Sequence, residues 1–138
     1  MNTRIKELFN QTIKKIEINE GRDQMTFELE NGKTYQFYHE QECCEQVKIE
    51  DINGNLDDLI GCPLLLSEES TSNKNPENID KNKEQLKYQD SFTWTFYRFA
   101  TVKCYVTIRW YGMSNGCYSE SVKFKEIKKR RSYRRYFN

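Results

Sequence analysis

Apolar and polar positions alternate with a period of two through much of this chain, and that alternation predicts strands. The runs MTFELE and KTYQFY flank Asn31-Gly32. Such a pair between two alternating runs predicts a hairpin closed by a type I′ turn, whose two central residues both need φ > 0. Before it, Thr12 to Asn19 predicts a strand with Ile16 and Ile18 on one face. In the last third, Phe92, Trp94 and Phe96 alternate with Thr93, Thr95 and Tyr97. Val102, Cys104, Val106, Ile108 and Trp110 then alternate with Lys103, Tyr105, Thr107, Arg109 and Tyr111. The sets containing Trp94 and Trp110 are assigned to the core. A turn over Gly112 to Gly116 leads into Tyr118 to Phe124, which makes a three-strand antiparallel meander packed beside or against the earlier hairpin.

The remaining elements are shorter. Thr3 to Phe9 suits one or two helical turns, with Thr3 as N-cap and Ile5, Leu8 and Phe9 on one side. Gln46 to Ile49 is strand-like, Asn53-Gly54 marks a turn, and Leu56 to Ile60 is a short helix stopped by Gly61. Pro63 to Leu66 fits a buried strand. Ser67 to Gln89 is rich in Ser, Asn, Lys, Glu and Asp and is expected to be a long mobile loop. The expected fold is therefore α+β, mainly antiparallel β, with an N-terminal hairpin, a C-terminal three-strand meander and one or two short helices. One β-rich domain spans residues 1–125, its loop 67–89 included, and residues 126–138 form a separate tail.

Composition sharpens this picture. Only 36% of the 138 residues are hydrophobic and the mean hydropathy is −0.95, but 14% are aromatic, which points to one small core rich in rings rather than to disorder. No window approaches the roughly 20 apolar residues of a membrane span, and MNTRIKELFN lacks the apolar stretch of a signal peptide. A cytoplasmic protein is expected. The five cysteines, Cys43, Cys44, Cys62, Cys104 and Cys117, are odd in number and lack a CxxC pair, as suits reduced thiols. The net charge of +1 hides an asymmetry: residues 126–138 carry six basic side chains and one acid, leaving −4 on the rest.

The stretches YHEQECCEQVKIEDINGNLDDLIGCPLL and SFTWTFYRFATVKCYVTIRWYGMSNGCYSESVKF resemble a family of short, uncharacterised proteins found in phages and bacteria. Its marks are a His-x-x-x-Cys-Cys-Glu loop, at His39 to Glu45, and a Trp-Thr-Phe-Tyr to Arg-Trp-Tyr-Gly meander. The resemblance covers most of Thr12 to Phe124 and implies a phage or mobile-element origin without naming a reaction. Cys104 stands where that pattern has a small residue such as Gly, and the basic tail is peculiar to this chain.

Several clusters bear on chemistry. His39, Cys43 and Cys44, with Glu45 and Asp51 nearby, are the only group of soft and acidic metal ligands, but adjacent cysteines rarely serve one ion. The bland alternative buries one cysteine as a small hydrophobe and bonds His39 to backbone. A Cys–His nucleophile from the same residues lacks a recognisable oxyanion hole or orienting third group. Glu50, Asp51, Asp57 and Asp58 lack the spacing of a calcium loop. No phosphate-binding glycine loop, nucleophile elbow or zinc-protease motif occurs, so no cofactor and no catalytic activity are expected. Parity puts Arg98 and Glu120 inward, as a buried ion pair.

Two surfaces suit a partner. Tyr97, Tyr105, Arg109 and Tyr111, with Thr107 and Ser119, form a face of rings and hydrogen-bonding groups of the kind enriched at protein interfaces. The tail interleaves Lys128, Lys129, Arg130, Arg131, Arg134 and Arg135 with Tyr133 and Tyr136, as a phosphate-seeking, ring-stacking segment would. The leading expectation is a non-catalytic phage-type accessory protein, of counter-defence (anti-CRISPR-like) kind, that binds and blocks a host protein or nucleoprotein. Its rivals are a nucleic-acid module that contacts RNA or DNA through the tail and a metal or redox protein centred on Cys43 and Cys44.

Overall fold

Among the described residues eight strands supply nearly all the regular structure: β1 (Ile13–Ile18), β2 (Gln24–Leu29), β3 (Thr34–Tyr38), β4 (Gln46–Asn53), β5 (Leu66–Ser72), β6 (Ser91–Ala100), β7 (Tyr105–Ser114) and β8 (Lys123–Ile127). The structure is a computed structural model and describes residues 3–76 and 91–128. Two four-stranded sheets run in the orders β1-β2-β3-β8 and β4-β7-β6-β5, with every neighbouring pair antiparallel. The only helices among the described residues are two 3-10 segments, Thr3–Leu8 and Leu56–Leu59. The chain is thus mainly antiparallel β.

The sheets pack face to face because each has one ring-rich side. Met25, Phe27, Leu29, Tyr35, Phe37 and Phe124 from the first sheet meet Val47, Ile49, Tyr97, Phe99, Val106, Ile108 and Trp110 from the second in one buried cluster. Ring contacts cross between the sheets, Phe27 to Phe99 at 5.3 Å and Phe37 to Tyr97 at 4.8 Å, both edge-on, the geometry that ring quadrupoles favour.

The β2–β3 hairpin holds, with a different turn. Gly32 takes φ +92° while Asn31 keeps a negative φ, and the Gly32 N–H bonds to the Leu29 carbonyl. One left-handed glycine after an ordinary turn is the three-residue loop, not the type I′ turn. Ile5 and Leu8 are buried on the first 3-10 segment, but Phe9 is 52% exposed. Asn55 caps the second through its side chain, and Gly61 ends that region at φ +92°. Leu64 of the expected buried strand is buried, whereas Leu65 is exposed.

Four expectations change. Residues 67–72 of the supposed loop belong, with Leu66, to edge strand β5, while residues 77–90 lie outside the described part. A three-strand meander does exist, but it is β5-β6-β7; the chain after β7 crosses to the other sheet, where β8 pairs with β3. Glu126 and Ile127 belong to β8, in register with Tyr35 and Thr34, so the tail begins later than residue 126. In β6 the core side carries Tyr97 and Phe99, in register with Ile108 and Val106, whereas Trp94 belongs to a second cluster with Tyr111, Phe92, Phe96 and Met113 on the outer face. Cys104 has no left-handed backbone, so its position near the β6–β7 turn does not need glycine.

Candidate functional site

At one end of the sandwich the chain changes sheets twice, from β3 to β4 through residues 39–45 and from β7 to β8 through residues 115–122. His39 ties the two connections together. Its Nδ1 lies 2.7 Å from the Ser121 carbonyl and its Nε2 lies 2.8 Å from the Glu45 carboxylate, with both side chains buried. Both partners are acceptors, so both hydrogen bonds form fully only when each ring nitrogen carries a proton. The Glu45 carboxylate also accepts the backbone N–H groups of Glu42 and Cys43, at 2.9 Å each. The bond from His39 is the main reason that this carboxyl is held down to about 2; burial works against it, and the amides assist.

Beside this knot an open cleft of about 600 Å³ is lined by residues of both sheets and the second connection, among them Glu69, Thr93, Thr95, Glu120, Ser119 and Lys123. The inner positions of β5, Glu69 and Thr71, lie in register with Tyr97 and Thr95, so the core side becomes polar at this end of the strands. Tyr97 donates its buried hydroxyl to Glu69. Burial first, and then the Glu69 charge, push that phenol far above its ordinary range.

Glu120 is 8% exposed and accepts hydrogen bonds from Thr93 Oγ1 at 2.8 Å and Ser114 Oγ at 2.5 Å. The segment carrying it lies against β7 because position 112 is glycine: a Cβ there would stand 2.7 Å from the Glu120 carbonyl oxygen. The expected Arg98–Glu120 ion pair does not form. Arg98 lies on the outer face, where it bonds to Ser70 Oγ and stacks over Phe96. The hydroxyls satisfy the Glu120 carboxylate but leave its charge, and among the described residues no cation lies within ion-pair distance of it.

The expected partner face is largely taken up by structure. Tyr97 and Tyr111 are buried, because β6 and β7 each present rings on both sides and both sides are covered. Arg109 bonds to Glu50 at 2.6 and 2.7 Å and lies 5.2 Å from the Trp94 ring centroid. A bulge in β4 between Ile49 and Asp51 aims Glu50 at it. Tyr105 alone of the four is exposed. Lys128 is exposed after β8; Lys129, Arg130, Arg131, Tyr133, Arg134, Arg135 and Tyr136 lie outside the described residues. Cys43 and Cys44 are both exposed, so neither is the buried hydrophobe expected of that loop, though His39 does bond to backbone. No group of three metal ligands converges among the described residues.

The stretches that carried the family resemblance are the ones that build this end. Strand β6 contributes Thr93 and Thr95, the segment before β8 contributes Ser119, Glu120 and Ser121, and the His-x-x-x-Cys-Cys-Glu loop holds that segment through His39. Sequence reasoning missed Glu69, Thr93 and Thr95; the signal was polar side chains at inward-facing strand positions. A family model described as a domain of unknown function, DUF7448, matches residues 6–124. No curated protein and no solved structure matches the chain. No helix among the described residues is long and apolar enough to cross a membrane.

Proposed function

This chain belongs to the DUF7448 family, and from that premise we propose that it is a non-catalytic binding protein that receives a cationic, hydrogen-bonding group of a protein partner, a lysine or arginine side chain, in the cleft beside Glu120. One observation carries this reading: a buried carboxylate on the cleft wall is satisfied by two hydroxyls and meets no cation within ion-pair distance among the described residues. A buried charge is costly until a counter-charge arrives, which favours a cation at that point. Serine and threonine hydroxyls around it supply acceptors for the remaining N–H groups of such a ligand. A binding rather than a catalytic role is supported by the state of the single histidine, whose two ring nitrogens both face structural acceptors. Blocking a host factor, as in phage counter-defence, is one use to which such a cleft would be put.

The test uses N-acetyl-arginine amide and N-acetyl-lysine amide as probes, followed by amide chemical shifts of the full chain. Saturable shifts are expected at Thr93, Ser119 and Glu120, with affinity lost at least tenfold in Glu120→Gln and retained in Tyr105→Ala. Equal binding by wild type and Glu120→Gln, or no shift at these residues at millimolar probe, overturns the proposal.

A further inference from the structure

The loop between β3 and β4 holds two adjacent thiols in an arrangement that the cleft does not use. Its backbone is fastened from within: the Glu45 carboxylate takes the amides of Glu42 and Cys43, and Gln41 Nε2 donates to the carbonyls of Cys43 and Glu45 at 3.1 and 2.7 Å. Neighbouring side chains ordinarily diverge. Here the wrap turns both to one side, and Cys43 Sγ lies 2.6 Å from Cys44 Sγ with both residues exposed to solvent. The Tyr118 phenol, from the connection before β8, is raised above its ordinary range, chiefly by the neighbouring Cys43.

We infer that Cys43 and Cys44 are a redox modification site that closes reversibly into a disulfide between adjacent residues. The two sulfurs already face one another in direct contact, on the side from which a disulfide of about 2.0 Å would form. With oxidised glutathione as the oxidant, one thiolate attacks a glutathione sulfur and expels one glutathione thiolate. The neighbouring thiolate then attacks the mixed disulfide and expels the second. Two cysteine thiols are oxidised and one glutathione disulfide is reduced to two thiols, the protein losing two hydrogens in all. The Cys44 thiol is raised above its ordinary range, chiefly by its hydrogen bond with Cys43, so closure quickens as pH rises. Adjacent Cα atoms are only about 3.8 Å apart, closer than the usual disulfide span, so the bond is strained and easily reduced. It therefore forms under oxidative conditions and reopens when reduced glutathione returns.

The experiment exposes the full chain to graded mixtures of oxidised and reduced glutathione, then quenches it with acid and maps it by mass spectrometry. In the wild type the peptide containing both cysteines is expected to lose two hydrogens and to regain them in excess reduced glutathione. Cys43→Ser and Cys44→Ser are each expected to stop at the glutathione adduct at the remaining thiol. These variants lie at exposed positions, and unchanged melting confirms that they fold. A wild type that accumulates the same adduct as the single variants, that links either residue to Cys117 instead, or that keeps both thiols free while Cys117 reacts overturns the inference.

Discussion

His39 and Glu45 show how much one polar contact can fix. The imidazole joins two connections 82 residues apart in sequence, and the carboxylate it meets organises its own loop through two amides. Because the folded carboxyl titrates near 2 rather than at its ordinary 4.5, the folded state binds this proton less readily than the unfolded chain. The contribution of Glu45 to stability is thus fully present above about pH 4.5 and is lost as pH falls toward 2. Urea unfolding of wild type and Glu45→Gln between pH 6 and 2 checks the sign. The stability advantage of the wild type is expected to be constant down to about pH 5 and to shrink steadily below it. An advantage that stays level to pH 2 would mean that the loop does not depend on the carboxylate charge.

Strand β6 carries rings on both sides, and that decides both its stability and its legibility. Trp94 is fully buried although it lies on the outer face, under the Arg109 guanidinium, against Tyr111 and with its indole N–H bonded to Asn75 at 3.0 Å. Trp94→Ala is expected to cost about 3 to 5 kcal/mol, as for a ring removed from a core, whereas Tyr105→Ala on an exposed face should stay within about 0.5 kcal/mol. Denaturant midpoints of the two variants measure the difference, and a mild Trp94→Ala would show that the outer cluster is not a second core. The hairpin β2–β3 was legible because its inner residues are apolar and its outer ones polar. In β6 alternation gave two apolar sets and no means of choosing between them, so Trp94 was assigned to the wrong face. Strand β5 escaped notice because its inward residues, Ser67, Glu69 and Thr71, are polar where the core opens into the cleft. Glu120 was placed correctly by its parity with Val122 and Phe124, but its hydroxyl partners at Thr93 and Ser114 depend on a sheet crossing that no local pattern encodes.

At the scale of the molecule, charge is divided between two parts. The body before residue 126 carries −4 and buries Glu69 and Glu120 at the cleft, whereas the tail carries the excess of positive charge. An acidic cleft repels phosphate, so a nucleic acid, if bound, would use the tail and leave the cleft idle. Two changes separate these roles. Ending the chain after Ile127 keeps all of β8 and its pairing with β3, so the melting temperature is expected to change little. If the basic residues hold nucleic acid, the full chain should bind a labelled oligonucleotide with an affinity that falls steeply with salt, and the shortened chain should lose most of that slope. Glu120→Gln should leave the slope intact while abolishing capture of the arginine and lysine probes. Oligonucleotide binding that survives truncation and vanishes in Glu120→Gln would reverse this division and make the cleft, rather than the tail, the nucleic-acid surface.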